Sequence, residues 1–136
     1  MSRDVAGRKA IITGAASGIG AAAVARLMAD GVAVVAVDVT GDGLKGTHTL
    51  VADLGDAAAF AAIAEAAQAK LGGVDILINN AGVCPVGSFD EMTEAMWDHA
   101  LSINVTAAMK LTRAVLPMLR ASSAARVINT GSILSR

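Results

Sequence analysis

A glycine-rich corner between residues 13 and 20 is the stretch of this sequence best suited to chemistry. The apolar run Lys9–Thr13 stops there, Gly14, Gly18 and Gly20 follow, and a helical pattern begins. Glycine has no Cβ, so the backbone can approach a diphosphate closely while the first N–H groups of the helix point at it. The spacing predicts an anion site built from backbone amides, since the chain offers no obvious cation for that task.

The elements around this corner form a strand-helix-strand unit. Ile19, Ala23 and Leu27 recur at helical spacing and predict the packed face of the helix. The next strand, Val32–Val37, is apolar at every position, which predicts burial on both faces, and it ends in Asp38. Three glycines alone are also found in purely structural turns, but with this unit around them they favour dinucleotide binding.

Strands and helices continue to alternate along the chain. This succession predicts an α/β fold, a doubly wound parallel sheet with strand order 3-2-1-4-5, whose loops after the strands share one rim. The predicted strands are Ala10–Thr13, Val32–Val37, Thr47–Ala52, Val74–Asn79 and Arg126–Ser132, and the predicted helices are Gly18–Asp30, Asp56–Leu71 with Asp56 as N-cap, and Thr93–Ala121 with a bend near Asn104.

Composition limits the possible functions. The 136 residues suit a single domain, 1–136, and a hydrophobic content of 54% predicts a real core. A net charge of −1 gives no basic field for nucleic acid, and no apolar run is long enough to span a membrane. The single Cys84 cannot form an internal disulfide and no signal peptide is visible, so we expect a cytoplasmic location.

Other reactive residues have plainer interpretations. His48, His99 and Cys84 lack metal-ligand spacing, so no metal site is predicted. Cys84 is expected to be a small buried residue; the alternative is that it faces the substrate. Ser132 lies in no nucleophile elbow, which disfavours hydrolysis. A further apolar stripe is expected to pack in the core, with one face open to a partner subunit; it consists of Met92, Met96, Trp97 and Leu101.

Together these residues resemble the short-chain dehydrogenase/reductase family, in its shorter branch with the Thr-Gly-x-x-x-Gly-x-Gly loop. The resemblance extends over nearly the entire chain, whereas the extended branch of the family uses a different glycine spacing and fits less well. It implies a Rossmann-type domain that binds NAD(P). The matching motifs are Thr13 to Gly20, Asp53, Asn79-Asn80-Ala81-Gly82, Asn104 and Ser132.

For the cofactor, the resemblance implies NAD. An acid at the place of Asp38 accepts hydrogen bonds from a ribose 2′-OH and repels a 2′-phosphate, and neither Ser17 nor Val39 offers a compensating charge. The alternative is that Asp38 only caps a loop. The resemblance further assigns the pyrophosphate to the glycine loop with Ser17 and Ile19, the adenine to Asp53 and Leu54, and the adenosine ribose and pyrophosphate to Asn80, Ala81 and Gly82.

For catalysis, the resemblance places Ser132 at the substrate oxygen and Asn104 at a proton-relay water. The family moves the proton with a tyrosine assisted by a lysine four residues later, but this sequence contains no tyrosine and its lysines all precede Ser132. We therefore expect the sequence to stop short of these residues, just after the fifth strand, and this chain alone to be inactive. The expected function is NAD-dependent hydride transfer to or from a secondary alcohol or ketone; the alternative is a dinucleotide-binding module or sensor without turnover.

Two expectations concern association. Ending soon after the fifth strand would leave Val127 and Ile128 on an uncovered sheet edge. The resemblance also implies a homo-oligomer that pairs through the long helix containing Val105 to Ala121. The identity of the substrate stays open.

Overall fold

A five-stranded parallel sheet, in the order β3-β2-β1-β4-β5, forms the centre of the molecule, as predicted. It is seen in a computed structural model that describes residues 4–132, so the first three and last four residues of the predicted domain lie outside the described part. The strands are β1 Lys9–Thr13, β2 Ala33–Asp38, β3 His48–Val51, β4 Ile76–Asn79 and β5 Arg126–Asn129, and the helices are α1 Gly18–Ala29, α2 Ala59–Leu71, α3 Glu94–Leu101 and α4 Ala107–Ala121.

Helices cover both faces of the central strands. Side chains of a strand alternate between faces, so Ile11 of β1 joins the cluster that contains α2 and α4, while Ile12 joins the cluster that contains Val24 of α1. The whole stretch from Val34 to Val37 is buried, which confirms the prediction of a strand covered on both sides. The sheet is thereby held rigidly, with the carboxyl ends of its strands along one rim.

The β5 edge is much less covered. Val127 and Ile128 are 43% and 49% exposed, and β5 pairs only with β4 within the described residues. This matches the expectation of an open edge there.

Two local predictions about helices need correction. In the predicted α1 stripe, Ala23 and Leu27 pack against the buried cluster, but Ile19 is 71% exposed; the fully buried residues of that helix are Gly20 and Val24. Helix α2 begins at Ala59 rather than beside an Asp56 N-cap; the Asp56 carboxylate instead accepts the N–H of Ala58 at 2.9 Å, which closes a turn just before the helix.

The long helix predicted from Thr93 is interrupted where a bend was expected. Thr93 caps α3 by accepting the Met96 N–H at 3.2 Å, and a π-helical turn, Ser102–Thr106, separates α3 from α4. No residue of α3 is buried, and Trp97 is 51% exposed, so the predicted core role of the Met96, Trp97 and Leu101 stripe was wrong. The stripe points outward because, of α3 and α4, α4 is the helix whose residues join the sheet clusters.

Candidate functional site

A cleft of about 510 Å³ opens at the carboxyl rim of the sheet, between the ends of β1, β2, β3 and β4. Small-molecule sites typically enclose about 300–1,000 Å³, so the cleft has the size of a binding site. It brings together most of the residues predicted for cofactor binding, which are Gly14, Ser17, Asp38, Asp53, Leu54, Asn80, Ala81 and Gly82.

The remaining predicted residues lie outside the lining of this cleft. Gly18, Ile19 and Gly20 begin helix α1 beside it, Asn104 lies in the π-helical turn, and Ser132 follows β5 on the same rim. Conversely, sequence reasoning missed part of the lining. Thr13, Val37, Val39, Ala52 and Val83 flank predicted positions and were within reach of the motif, whereas His99 and Ile103 arrive from a separate helix without any local signal.

The three glycines of the corner have different steric roles. A Cβ on Gly20 would lie 2.0 Å from the Gly14 carbonyl oxygen, and one on Gly14 would lie 2.9 Å from the Ala81 Cα, so both are required for close packing of the protein on itself. A Cβ on Gly18 would meet no atom within 4 Å, and its φ of +55° favours glycine. Of the three, only Gly18 leaves open space where a ligand can approach.

The start of α1 offers donors that the protein leaves unused. The first N–H groups of a helix have no intrahelical partner, and Ser17, at the N-cap position, makes no side-chain capping bond. Ser17 also lines the cleft. This arrangement is suited to an anion, because amide N–H groups, the hydroxyl and the positive end of the helix dipole all lie at the helix start.

Thr13 connects the end of β1 to the segment after β4. Its side chain, buried to 1% exposure, accepts the N–H groups of Asn80 at 3.1 Å and of Ala81 at 3.0 Å. Asn80 returns the contact, since its Nδ2 donates to the Thr13 carbonyl at 3.2 Å, and its Oδ1 accepts from the Thr130 hydroxyl at 3.1 Å. These bonds hold three strand ends in register along the floor of the cleft.

Asp38, at the end of β2, faces the cleft and also supports the glycine corner. Its Oδ2 accepts the Ala16 N–H at 2.9 Å, and its Oδ1 accepts the Thr40 N–H at 3.3 Å. The loop-capping role considered from the sequence is therefore real. Each carboxylate oxygen has more than one lone pair, so the group can still accept hydrogen bonds from a ligand.

Asp53 and Leu54 border the cleft on the β3 side. The Asp53 carboxylate accepts the Gly55 N–H at 2.8 Å, which closes a tight turn. Ile103, in the π-helical turn, faces this turn: its Cδ1 would lie 3.7 Å from a Cβ on Gly55. The cleft is thus walled by strand ends on one side and by the helix interruption on the other.

Asn104 acts on the segment that leaves the cleft. Its side chain forms two hydrogen bonds with the backbone of Val83.

Cys84, the residue after Val83, is exposed, so the expectation of a buried cysteine was wrong; the segment here runs over the surface. Further along, the backbone N–H of Ser88 donates to Glu91, which together with the Ser88 side chain holds the pKa of Glu91 below its usual value.

Across residues 4–132, no cluster of three or more His, Cys, Asp or Glu side chains could hold a metal ion. None of the helices in that range has the length and apolarity needed to cross a membrane.

Comparison with known proteins gives a consistent result. The family model described as short chain dehydrogenase matches residues 8–136. Nodulation protein G from Rhizobium sp. (strain N33) is 39% identical, with 96% of this chain and 57% of that protein covered. The 2-dehydro-3-deoxy-L-rhamnonate dehydrogenase (NAD(+)) from Sphingomonas sp. (strain SKA58) is 35% identical, with coverages of 96% and 56%.

Solved structures agree. A short chain dehydrogenase from Burkholderia cenocepacia J2315, crystallised in complex with NADP, superposes with a TM-score of 0.90 at 30% identity and covers 98% of this chain and 58% of its own. The chain therefore spans a little over half the length of the relatives it matches.

Proposed function

The chain belongs to the short chain dehydrogenase family, and on that basis we propose that it is the NAD-binding part of an oxidoreductase. The reaction is hydride transfer between nicotinamide and a secondary alcohol or ketone of small size. The observation that carries the proposal is the position of Asp38, which lines the same cleft as Gly14 and Ser17 of the glycine corner.

The residues of the cleft fit a dinucleotide. Gly18 leaves open space beside the helix start, where a diphosphate would meet unpaired amides and the Ser17 hydroxyl. Asp53, Leu54, Asn80, Ala81 and Gly82 supply the lining for the adenosine part. When bound, the nicotinamide ring supplies the hydride chemistry, and the protein orients it against the substrate.

We propose NAD rather than NADP as the cofactor. Among the described residues that line the cleft, two are carboxylates, Asp38 and Asp53, and none is Lys or Arg. A 2′-phosphate beside Asp38 would face a like charge without a compensating cation, whereas a 2′-OH could donate to it. Relatives are found with either cofactor: NAD(+) is part of the name of the Sphingomonas relative, and the Burkholderia structure is a complex with NADP.

For catalysis, we propose that Ser132 holds the substrate oxygen and that Asn104 orders a proton-relay water. Each polar atom of the Asn104 side chain has one partner on Val83, and an amide has a second hydrogen on Nδ2 and a second lone pair on Oδ1 for a water. We further propose that the proton donor of this reaction is a tyrosine that is not among these 136 residues, since the sequence contains none.

The lack of tyrosine also supports the second candidate, a dinucleotide-binding module or sensor without turnover. The two candidates differ in one observable. A complete protein that carries a tyrosine and a lysine four residues apart beyond Ser132 would oxidise a secondary alcohol with NAD, whereas a module would bind the nucleotide and leave the alcohol unchanged.

We further propose a homo-oligomer. Four large apolar side chains follow one another at four-residue intervals through α3, the π-helical turn and α4, and all are exposed: Trp97, Leu101, Val105 and Met109. A stripe of this kind on a helix is typical of a surface that a partner covers.

The binding proposal is tested by titrating the 136-residue chain with NADH and NADPH and following the fluorescence of the reduced nicotinamide. We expect saturable NADH binding with a Kd about tenfold or more below that for NADPH, because one repelled charge costs upwards of about 1.4 kcal/mol. Failure to bind either nucleotide would contradict the proposal, and preference for NADPH would contradict its cofactor.

A further inference from the structure

His99 is a cleft residue that no motif assigns. It lies in helix α3, it is exposed, and it lines the cleft together with residues from the strand ends. The backbone carbonyl of His99 accepts the Ser102 hydroxyl at 2.8 Å, where the helix enters its π-helical turn. The imidazole therefore projects from a locally fixed backbone.

The neighbours of His99 place it at the β3 end of the cleft. Ile103, four residues later, lies on the same face of the helix and also lines the cleft. Ile103 in turn faces the turn after Asp53, with its Cδ1 3.7 Å from the Cβ position of Gly55. His99 thus lies along the wall that looks onto Asp53 and Leu54.

That end of the cleft is remote from the predicted catalytic serine. Ser132 follows β5, and the sheet order places β5 four strands from β3. Strands are spaced at about 4.8 Å, so the two ends of the rim are separated by about 19 Å. A dinucleotide with its nicotinamide near Ser132 would extend its adenosine half toward β3.

His99 also differs in chemistry from the rest of the lining. It is the one ring-bearing side chain and the one base among the described residues that line the cleft; the others are apolar, small or polar groups and the carboxylates of Asp38 and Asp53. A flat imidazole in a cleft that Leu54 and Ile103 also line suits a flat, weakly polar ligand.

We propose that His99 is a base-recognition residue, whose imidazole stacks on the adenine of the dinucleotide at the β3 end of the cleft. This inference rests on the proposed NAD binding and deepens it. The His99→Ala variant would keep the diphosphate contacts of the glycine corner but would lose the contact between the imidazole and the adenine.

The test compares NADH and ADP-ribose binding to the wild-type chain and to His99→Ala by calorimetric titration. Base stacking on an aromatic side chain contributes enough that its loss should weaken both ligands by the same factor, about fivefold or more. His99→Phe, which keeps a ring, should stay within about threefold of wild type. His48→Ala is the matched control, because His48 lies on β3 in a different groove and should change neither affinity.

The possible failures are distinct. A wild-type chain that binds neither ligand would overturn the proposed function together with this inference. Unchanged ADP-ribose affinity in His99→Ala, or a loss for NADH alone, would overturn the assignment of His99 and leave NAD binding in place. Thermal unfolding of each variant identifies any loss of affinity that stems from misfolding, and in that event His99→Gln, a helix-compatible substitution without a ring, replaces His99→Ala.

Discussion

Asn104 and Val83 are joined by two hydrogen bonds of opposite direction. The Asn104 Nδ2 donates to the Val83 carbonyl at 2.8 Å, and its Oδ1 accepts the Val83 N–H at 2.7 Å. One amide side chain thereby satisfies both polar groups of a backbone unit, as a neighbouring strand would. The pair fixes the π-helical turn against the segment that leaves the cleft, and π-helical turns are often found at functional sites.

Asn104→Asp should weaken this link. The carboxylate keeps an acceptor for the Val83 N–H but loses the donor and turns an oxygen toward the Val83 carbonyl. We expect the free energy of unfolding at pH 7 to fall by about 1–3 kcal/mol.

Urea unfolding at pH 7 measures the stability lost in Asn104→Asp. Asn129→Asp is the matched control, because the Asn129 Oδ1 accepts from the Asn79 Nδ2 and an aspartate retains that acceptor. Its stability should change by less than about 0.5 kcal/mol. Equal stability of Asn104→Asp and wild type would show that the donor half of the link contributes nothing.

Thr13→Val should destabilise the floor of the cleft. The substitution is nearly isosteric, but it removes the buried oxygen that accepts the N–H groups of Asn80 and Ala81. Leaving buried donors unsatisfied costs about 1–3 kcal/mol each, and chemical denaturation measures the sum. Thr13→Ser retains the hydroxyl and should lose much less; similar losses for the two variants would contradict a hydrogen-bonding role.

Gly20→Ala should be disruptive through sterics. The added Cβ would lie 2.0 Å from the Gly14 carbonyl oxygen, which is backbone and cannot swing away. We expect a lower melting temperature, from a loss of about 1–3 kcal/mol or more, and weaker NADH binding because the corner is displaced. Gly131→Ala adds the same methyl where no atom of residues 4–132 lies within 4 Å, so it should melt as wild type does. If Gly20→Ala were as stable as wild type, the close approach of residue 20 to the Gly14 carbonyl oxygen would be refuted.

Asp38→Asn should relax the discrimination between NADH and NADPH. The amide oxygen can still accept the Ala16 N–H at the glycine corner, while the longer bond from the Thr40 N–H is lost and the charge that repels a 2′-phosphate is removed. We expect the ratio of NADPH to NADH affinity to rise about tenfold in fluorescence titrations. Asp42→Asn removes one charge from the nearby loop outside the cleft and should leave the ratio unchanged. If the ratio of NADPH to NADH affinity is the same in Asp38→Asn as in wild type, Asp38 does not select the cofactor.

Leu101→Glu should dissociate the proposed oligomer. A carboxylate in the middle of the exposed apolar stripe would have to be buried without a partner on association. Light scattering after size-exclusion chromatography should then give the monomer mass, whereas wild type and Met28→Glu, on the exposed surface of α1, should give a larger one. A monomeric wild-type chain at micromolar concentration would contradict the proposal.

The sequence was sufficient for the parts of the molecule that depend on local pattern. The strand order and the doubly wound architecture follow from apolar runs, glycine corners and the right-handed crossover rule, all of which act within one strand-helix-strand unit. The assembly of Asp38, Asp53 and Asn80 around one cleft follows as well, because the carboxyl ends of parallel strands must share a rim.

Tertiary structure alone decided which side of each helix is covered. Ile19 fits an apolar helical stripe as well as Val24 does, and Trp97 looks like a core residue; only the close approach at Gly20 and the docking of α4 rather than α3 determine that Ile19 and Trp97 face outward. The same holds for His99 in the cleft and for the Asn104 link to Val83. These contacts join residues far apart in sequence, and their geometry depends on how whole elements pack, which periodicity within a single element does not specify.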